Sequence, residues 1–181
     1  MVHSAYANIF LNLVTAQSLS LDGTGKCYLG LSSTKPNFDG TNFSEPTTSD
    51  YERIQTAVNI EEENVLTYTN MWGAPAGGRV ENKKEFTSRE CKQESGWTPG
   101  FRYFGLFDAP AGGNLMVSGA LRDPDGEINP ATGLKPKTVL NVGKNQVAVF
   151  RAGTLVLDFN ELELSEELDP EAPDETAEPT E

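Results

Sequence analysis

Apolar residues recur with two different periods along this chain. Over residues 4–17, Tyr6, Ile9, Phe10, Leu13 and Val14 follow the i, i+3, i+4, i+7, i+8 spacing of one helical face. Ser4 is placed to cap that helix, Asn8, Asn12 and Thr15 occupy the opposite face, and Leu11 alone is out of phase. A glycine-containing connector around Gly23 and Gly25 separates this amphipathic helix from the rest of the chain. The stripe has to be buried, either against the chain's own body or as an assembly interface with a second subunit.

From residue 26 the period changes to that of strands and turns. Short apolar or alternating runs fall at 26–31 (KCYLGL), 51–57, 65–69, 80–88, 101–109 (FRYFGLFDA), 114–121, 138–142, 146–151 and 154–159. Between them lie loops dense in Ser, Thr, Pro, Gly, Asn and Asp, the longest at 32–50 and 122–136. Alternation puts Phe101, Tyr103, Gly105 and Phe107 on one face and Arg102, Phe104 and Leu106 on the other. Apolar residues on both faces predict a strand buried on both sides. The PAGG turn at 110–113 joins it to the next strand as a hairpin, placing Phe104, Leu106, Phe107, Leu115 and Val117 in one hydrophobic body. Roughly eight short sequential strands without a βαβ rhythm predict an antiparallel β-sandwich or open barrel. The expected organisation is an N-terminal helix and connector at 1–25, a β domain at 26–160 and an acidic tail at 161–181.

Charge changes the picture only once it is located. The chain of 181 residues carries a net charge of −13, yet ten acidic residues and no basic ones lie between Glu161 and Glu181. Seventeen acids against fourteen bases remain in residues 1–160, leaving the body nearly neutral. The tail has too few apolar side chains to offset its ordering entropy, which predicts disorder there, although Leu162, Leu164 and Leu168 are able to extend a strand or start a short helix. A body without a basic surface argues against nucleic-acid binding. No run reaches the ~18 apolar residues of a membrane span, and the opening MVHSAYANIFLNLVTAQ lacks the plan of a signal peptide. Neither membrane insertion nor secretion is expected.

The catalytic inventory is short. His3 is the sole histidine, and no G-x-S-x-G, GxxxxGK[ST] or HExxH motif occurs. Nothing selects a pair of body carboxylates for glycoside cleavage. The chain is therefore expected to be neither an enzyme nor the carrier of a cofactor. Cys27 and Cys91 form no ligand pattern and read as free, buried thiols, with a disulfide between them left open by the sequence. Asp123, Asp125, Glu127 and Asn129 alternate oxygen-bearing side chains around Gly126, a weak calcium candidate that a Pro-Asp-Gly turn explains without metal. Trp72, flanked by turn residues, is the aromatic best placed to be exposed as part of a ligand loop and stack on a sugar, with core packing as the competing and favoured reading.

A set of short motifs carries a resemblance. Cys27-Tyr28-Leu29-Gly30-Leu31 runs into a Ser/Thr-Pro loop ending at Pro36, followed by Ser44-Glu45-Pro46 and Tyr51-Glu52-Arg53. Val80-Glu81-Asn82 leads to Phe86, and Trp97 precedes Tyr103-Phe104-Gly105-Leu106-Phe107-Asp108-Ala109. Gly112-Gly113-Asn114-Leu115, Gly119-Ala120-Leu121 and the strands at 146–159 come after it. Together, over roughly residues 5–160, these resemble the small tail-fibre or head-fibre-type virion proteins of tailed bacteriophages, including the mycobacteriophage Gp80-like group. Residues 122–137 and the acidic tail depart from that pattern. The resemblance implies a non-enzymatic structural component of the virion, assembled in the host bacterial cytoplasm as a homo-oligomer with other virion proteins. The alternative it leaves open is a module binding a host-surface glycan through the polar loops.

Overall fold

The computed structural model describes residues 27–37, 39–62, 65–131 and 133–158. The helical stripe of Tyr6, Ile9, Phe10, Leu13 and Val14, His3 and the acidic tail lie outside the described residues, and the expected N-terminal helix lies there with them. The described residues contain no helix.

In chain order the strands are β1 (Cys27–Ser32), β2 (Ile54–Glu62), β3 (Val65–Asn70), β4 (Arg79–Glu81), β5 (Phe86–Thr87), β6 (Trp97–Phe101), β7 (Tyr103–Phe107), β8 (Leu115–Ala120), β9 (Leu140–Val142), β10 (Val149–Phe150) and β11 (Val156–Asp158). Every ladder is antiparallel. Five strands form one sheet in the order β3-β2-β1-β7-β8, and β4/β11, β5/β10 and β6/β9 pair as separate two-stranded ladders. Among the described residues no barrel closes. The expected mainly antiparallel β fold is present, with Trp97–Phe101 as a strand that sequence periodicity did not single out.

The register explains the core. All of β1 is buried, and its odd positions face one way, with Leu29 opposite Leu106 and Leu31 opposite Phe104. Gly119 lies across from Phe104 on the next strand, where a Cβ would come within 2.8 Å of the Phe104 ring. Cys27, Leu29, Leu31, Phe104 and Leu106 join Trp72, Phe86, Trp97, Phe101, Phe150 and Leu157 in one buried cluster. The small ladders thus deliver their apolar residues to a single face of the large sheet. Phe150 stands opposite Phe86, and Leu157 opposite Val80. In 146–151 the inward residues are Ala148 and Phe150, leaving Val147 and Val149 exposed.

The hydrophobic body expected of the β7–β8 hairpin divides between two faces. Phe104 and Leu106 enter that cluster, but Phe107 and Leu115 belong to the opposite face of the sheet. A bulge at Leu106/Phe107 sets Leu106 against Val117 and Phe107 against Leu115, and Leu115 and Val117 are only half-buried. Cys27 and Cys91 are both free and buried, and burial pushes the Cys27 thiol up to about 12, so it stays protonated.

One polar residue locks the middle of the chain to its C-terminal strands. Asn82 is fully buried, and its Nδ2 donates to the carbonyls of Lys84, Phe150 and Arg151 while its Oδ1 accepts from the Leu155 amide. Its backbone accepts from Gly153 and donates to Leu155. The Asn82 amide, the Phe150 carbonyl and the Leu155 amide would otherwise be buried orphans, each costing about 1–3 kcal/mol. Asn82→Ala should therefore lower unfolding free energy by about 3 kcal/mol or more. Asn82→Asp should be worse, because it removes the donors and sets a carboxylate against three carbonyls. Urea titration of both variants tests this; a shift below about 1 kcal/mol for either would remove Asn82 from this role.

Candidate functional site

The second face of the sheet carries glycines where a side chain would block contact. Gly30 on β1 pairs with Gly105 on β7. A Cβ at Gly30 would lie 2.7 Å from the Glu45 carboxylate, and one at Gly105 would lie 2.7 Å from the Phe43 ring. Across this flat strip runs the long polar loop between β1 and β2. Phe43 packs edge-on against Phe107 with ring centroids 5.0 Å apart. The loop's two arms are tied at Ser32, whose Oγ accepts the Ser44 amide at 2.8 Å and donates to the Thr34 carbonyl at 2.8 Å. Its tip closes on Asp39, which accepts from the Thr41 amide and hydroxyl.

Glu45, Tyr51 and Arg53, all from this connection, converge on the sheet. Arg53 donates from Nε and Nη2 to the Glu45 carboxylate, with the shortest contact at 2.6 Å. Its Nη1 donates to the carbonyls of Ala109 and Gly112, at 2.9 and 2.7 Å, and the guanidinium stacks 3.4 Å above the centre of the Phe107 ring. The Arg53 and Glu45 side chains are only 7% and 21% exposed, so the pair is largely desolvated. Tyr51 Oη donates to Glu45 Oε1 at 2.9 Å and accepts the Leu31 amide at 2.8 Å. Burial, and then the adjacent Glu45 carboxylate, push that phenol above its ordinary range and keep it protonated. One clamp therefore joins the long loop, the central strand and the β7–β8 turn.

Asp50 makes a second tie. Its carboxylate accepts from the Lys92 amide at 2.6 Å, the Gln93 side chain at 3.0 Å and the Trp97 indole at 3.3 Å. The Lys92 amide is the chief cause holding this carboxyl well below the usual carboxylate range. Trp97 in turn stacks edge-on with Tyr51, so both ties meet through one aromatic contact.

On the other side of the molecule a groove of about 640 Å³ runs along β8. Val117, Leu121, Ile128, Leu134, Leu140 and Val149 supply its apolar wall. The loop at 122–138 forms one bank as a closed excursion: the backbone amide of Asp123 donates to the Pro136 carbonyl, that of Asn129 to Leu134, and that of Thr138 to Leu121. A smaller concavity of about 400 Å³ lies beside Glu52, Arg53 and Arg89.

A comparison with family models matches residues 3–132 to Gp80, described as podophage GP4 fiber I protein gp80. The match spans more than two thirds of the chain. The chain belongs to this podophage fibre family. No curated protein matches it. The family name places the expected virion resemblance with podophages and carries nothing specific to mycobacteriophages. The match ends at 132, short of the expected 160, so β9, β10 and β11 lie beyond it. Of the motifs that suggested a fibre protein, Ser44-Glu45-Pro46, Tyr51-Glu52-Arg53 and the FGLFDA strand meet in the clamp, and Asn82 fastens the core.

The individually expected site residues fare differently. Trp72 is not an exposed sugar platform: it is fully buried, its indole donates to Thr56 Oγ1 at 3.1 Å, and its ring stacks edge-on with Phe86. Turn residues flank it, but the bridge from Trp72 to Asn82 pulls it inward. Asp123 and Asn129 spend side-chain oxygens on the amides of Asp125 and Ala131, as local turns do, while Asp125 and Glu127 are exposed. Among the described residues no three His, Cys, Asp or Glu side chains gather as a metal site. The clamp itself was missed as a unit, although each of its motifs was visible in the sequence.

The clamp and the Asp50 tie each yield a measurable outcome. Arg53→Met leaves Glu45 buried without its partner and should cost about 3–5 kcal/mol. Adding Glu45→Leu should recover part of that loss, because the orphaned charge goes too. A urea midpoint unchanged by Arg53→Met would show that the pair carries nothing. Asp50 has a lowered folded pKa, so its stabilisation is full above the unfolded value of about 4 and is lost as pH falls below it. Asp50→Asn should then be destabilising near pH 7 and approach wild type as the pH drops through the acidic range. A gap that stays constant with pH in urea titrations would contradict this.

Proposed function

We propose that this chain is a non-enzymatic structural component of a tailed-phage virion, a tail fibre or a head or neck decoration protein that assembles with other virion proteins. The observation that carries the reading is the fibre-family match over residues 3–132. Its polar motif residues fit such a role, because Glu45, Tyr51 and Arg53 are consumed in holding a loop to a sheet. We read the fold as a sandwich whose second layer is built from the three small ladders. The stripe of Tyr6, Ile9, Phe10, Leu13 and Val14 is the proposed assembly interface, working in a homo-oligomer formed in the host cytoplasm. The glycan reading has lost its stacking ring, since Trp72 is enclosed, and it rests now on the polar loops alone.

The test is incorporation. Phage particles produced with wild-type protein should carry it after purification, whereas Phe10→Asp should reduce incorporation at least tenfold while the β-rich circular-dichroism spectrum stays intact. Wild-type protein absent from purified particles would overturn the virion reading. An unfolded Phe10→Asp monomer would instead assign the stripe to the chain's own core. Binding of the wild-type protein on a glycan array would favour the receptor-binding alternative.

A further inference from the structure

The groove beside β8 is built to hold an extended segment. β8 is the last strand of its sheet, and among the described residues no strand pairs with its outer edge. An open edge presents backbone donors and acceptors at regular spacing, and adding a strand there is a standard mode of peptide recognition. Natural edges are usually blunted by charge, proline or a covering element, but β8 reads Leu115-Met116-Val117-Ser118-Gly119-Ala120, without a charge or a proline. The neighbouring wall is apolar and still open: Ile128 and Val149 are 59% and 40% exposed. Arg79, Arg122 and Lys135 border it, with Asp158 as the sole acid among the lining residues.

The sequence just beyond the last described residue matches each of these features. Asp158 itself lines the groove, so the chain enters residue 159 already at the site. Residues 159–164 read Phe-Asn-Glu-Leu-Glu-Leu, in which Leu162 and Leu164 alternate with Glu161 and Glu163. From Glu161 to Leu164 that is the period of a strand with one apolar and one acidic face, Phe159 falling on the side of the acids. Six extended residues span about 20 Å, enough to reach along Val117–Ala120, the part of β8 that lines the groove. The acidic face complements the three basic residues of the rim. Direct tethering also makes the local concentration of this segment far higher than that of a second copy.

We propose that residues 159–164 of the same chain occupy this groove, adding a strand to the outer edge of β8 and seating Leu162 and Leu164 on Val117, Ile128 and Val149. The acidic segment is then a built-in edge protector, which keeps a sticky apolar edge from pairing between copies. This reading stands on the groove and the sequence, independently of the virion assignment.

Hydrogen–deuterium exchange on the full-length protein tests it through the amides of Leu115–Ala120. In the wild-type chain these should exchange at least tenfold more slowly than in the Leu162→Glu/Leu164→Glu double variant, with β1 equally protected in both. A chain ending at residue 168 should keep the protection, and one ending at 158 should lose it. Protection should be independent of protein concentration over a hundredfold dilution. Equal β8 exchange in wild type and the double variant would overturn the proposal, as would protection that disappears on dilution, which would place a second copy in the groove. Should the chain ending at 158 fail to fold, the full-length double variant still decides the matter.

Discussion

A central strand buried on both faces is the constraint around which this molecule is arranged. β1 has sheet neighbours on either side, a hydrophobic cluster on one face and a polar loop on the other. Covering a sheet with a loop is costly, because loop backbone carries polar groups that cannot go unpaired away from water. The solution is local and specific. Gly30 and Gly105 remove the side chains that would hold the loop off, Phe43 fills the space, and the Glu45–Tyr51–Arg53 clamp supplies hydrogen bonds to the Leu31 amide and to the carbonyls of the β7–β8 turn. Tyr51 takes over the Leu31 amide beyond the last β1–β2 pair, just where β2 has not yet begun.

The same economy governs the opposite face. The ladders β4/β11, β5/β10 and β6/β9 are each only two or three residue pairs long, too short to persist alone. They are held by what they contribute to the common core and by Asn82, which spends its whole amide on backbone from 84 to 155. The strands that complete these ladders lie beyond residue 132, so the core of this fibre-family member is finished by sequence outside the family match.

Alternation and turn chemistry in the sequence determined that the body is β and that 103–107 is buried on both sides; these follow from local rules, because side-chain direction in a strand has period two. The expected sequential order holds only for β1/β2, β2/β3 and β7/β8, since β1/β7, β4/β11, β5/β10 and β6/β9 pair across long stretches of chain. The loops at 32–50 and 122–136 were legible from their density of turn-forming residues. Which distant residues meet was settled only on packing. Trp72 looked exposed because its neighbours are turn-formers, yet its enclosure comes from pairing with Asn82 and packing on Phe86. Phe107 and Phe104, read as one hydrophobic body, part company because a strand sends neighbouring odd and even positions to opposite faces, and the far face has its own cover. Glu45, Tyr51 and Arg53 stood in plain view as separate motifs, but a desolvated ion pair exists only where burial and geometry coincide. Those are properties of the packed chain, and no local window of sequence contains them.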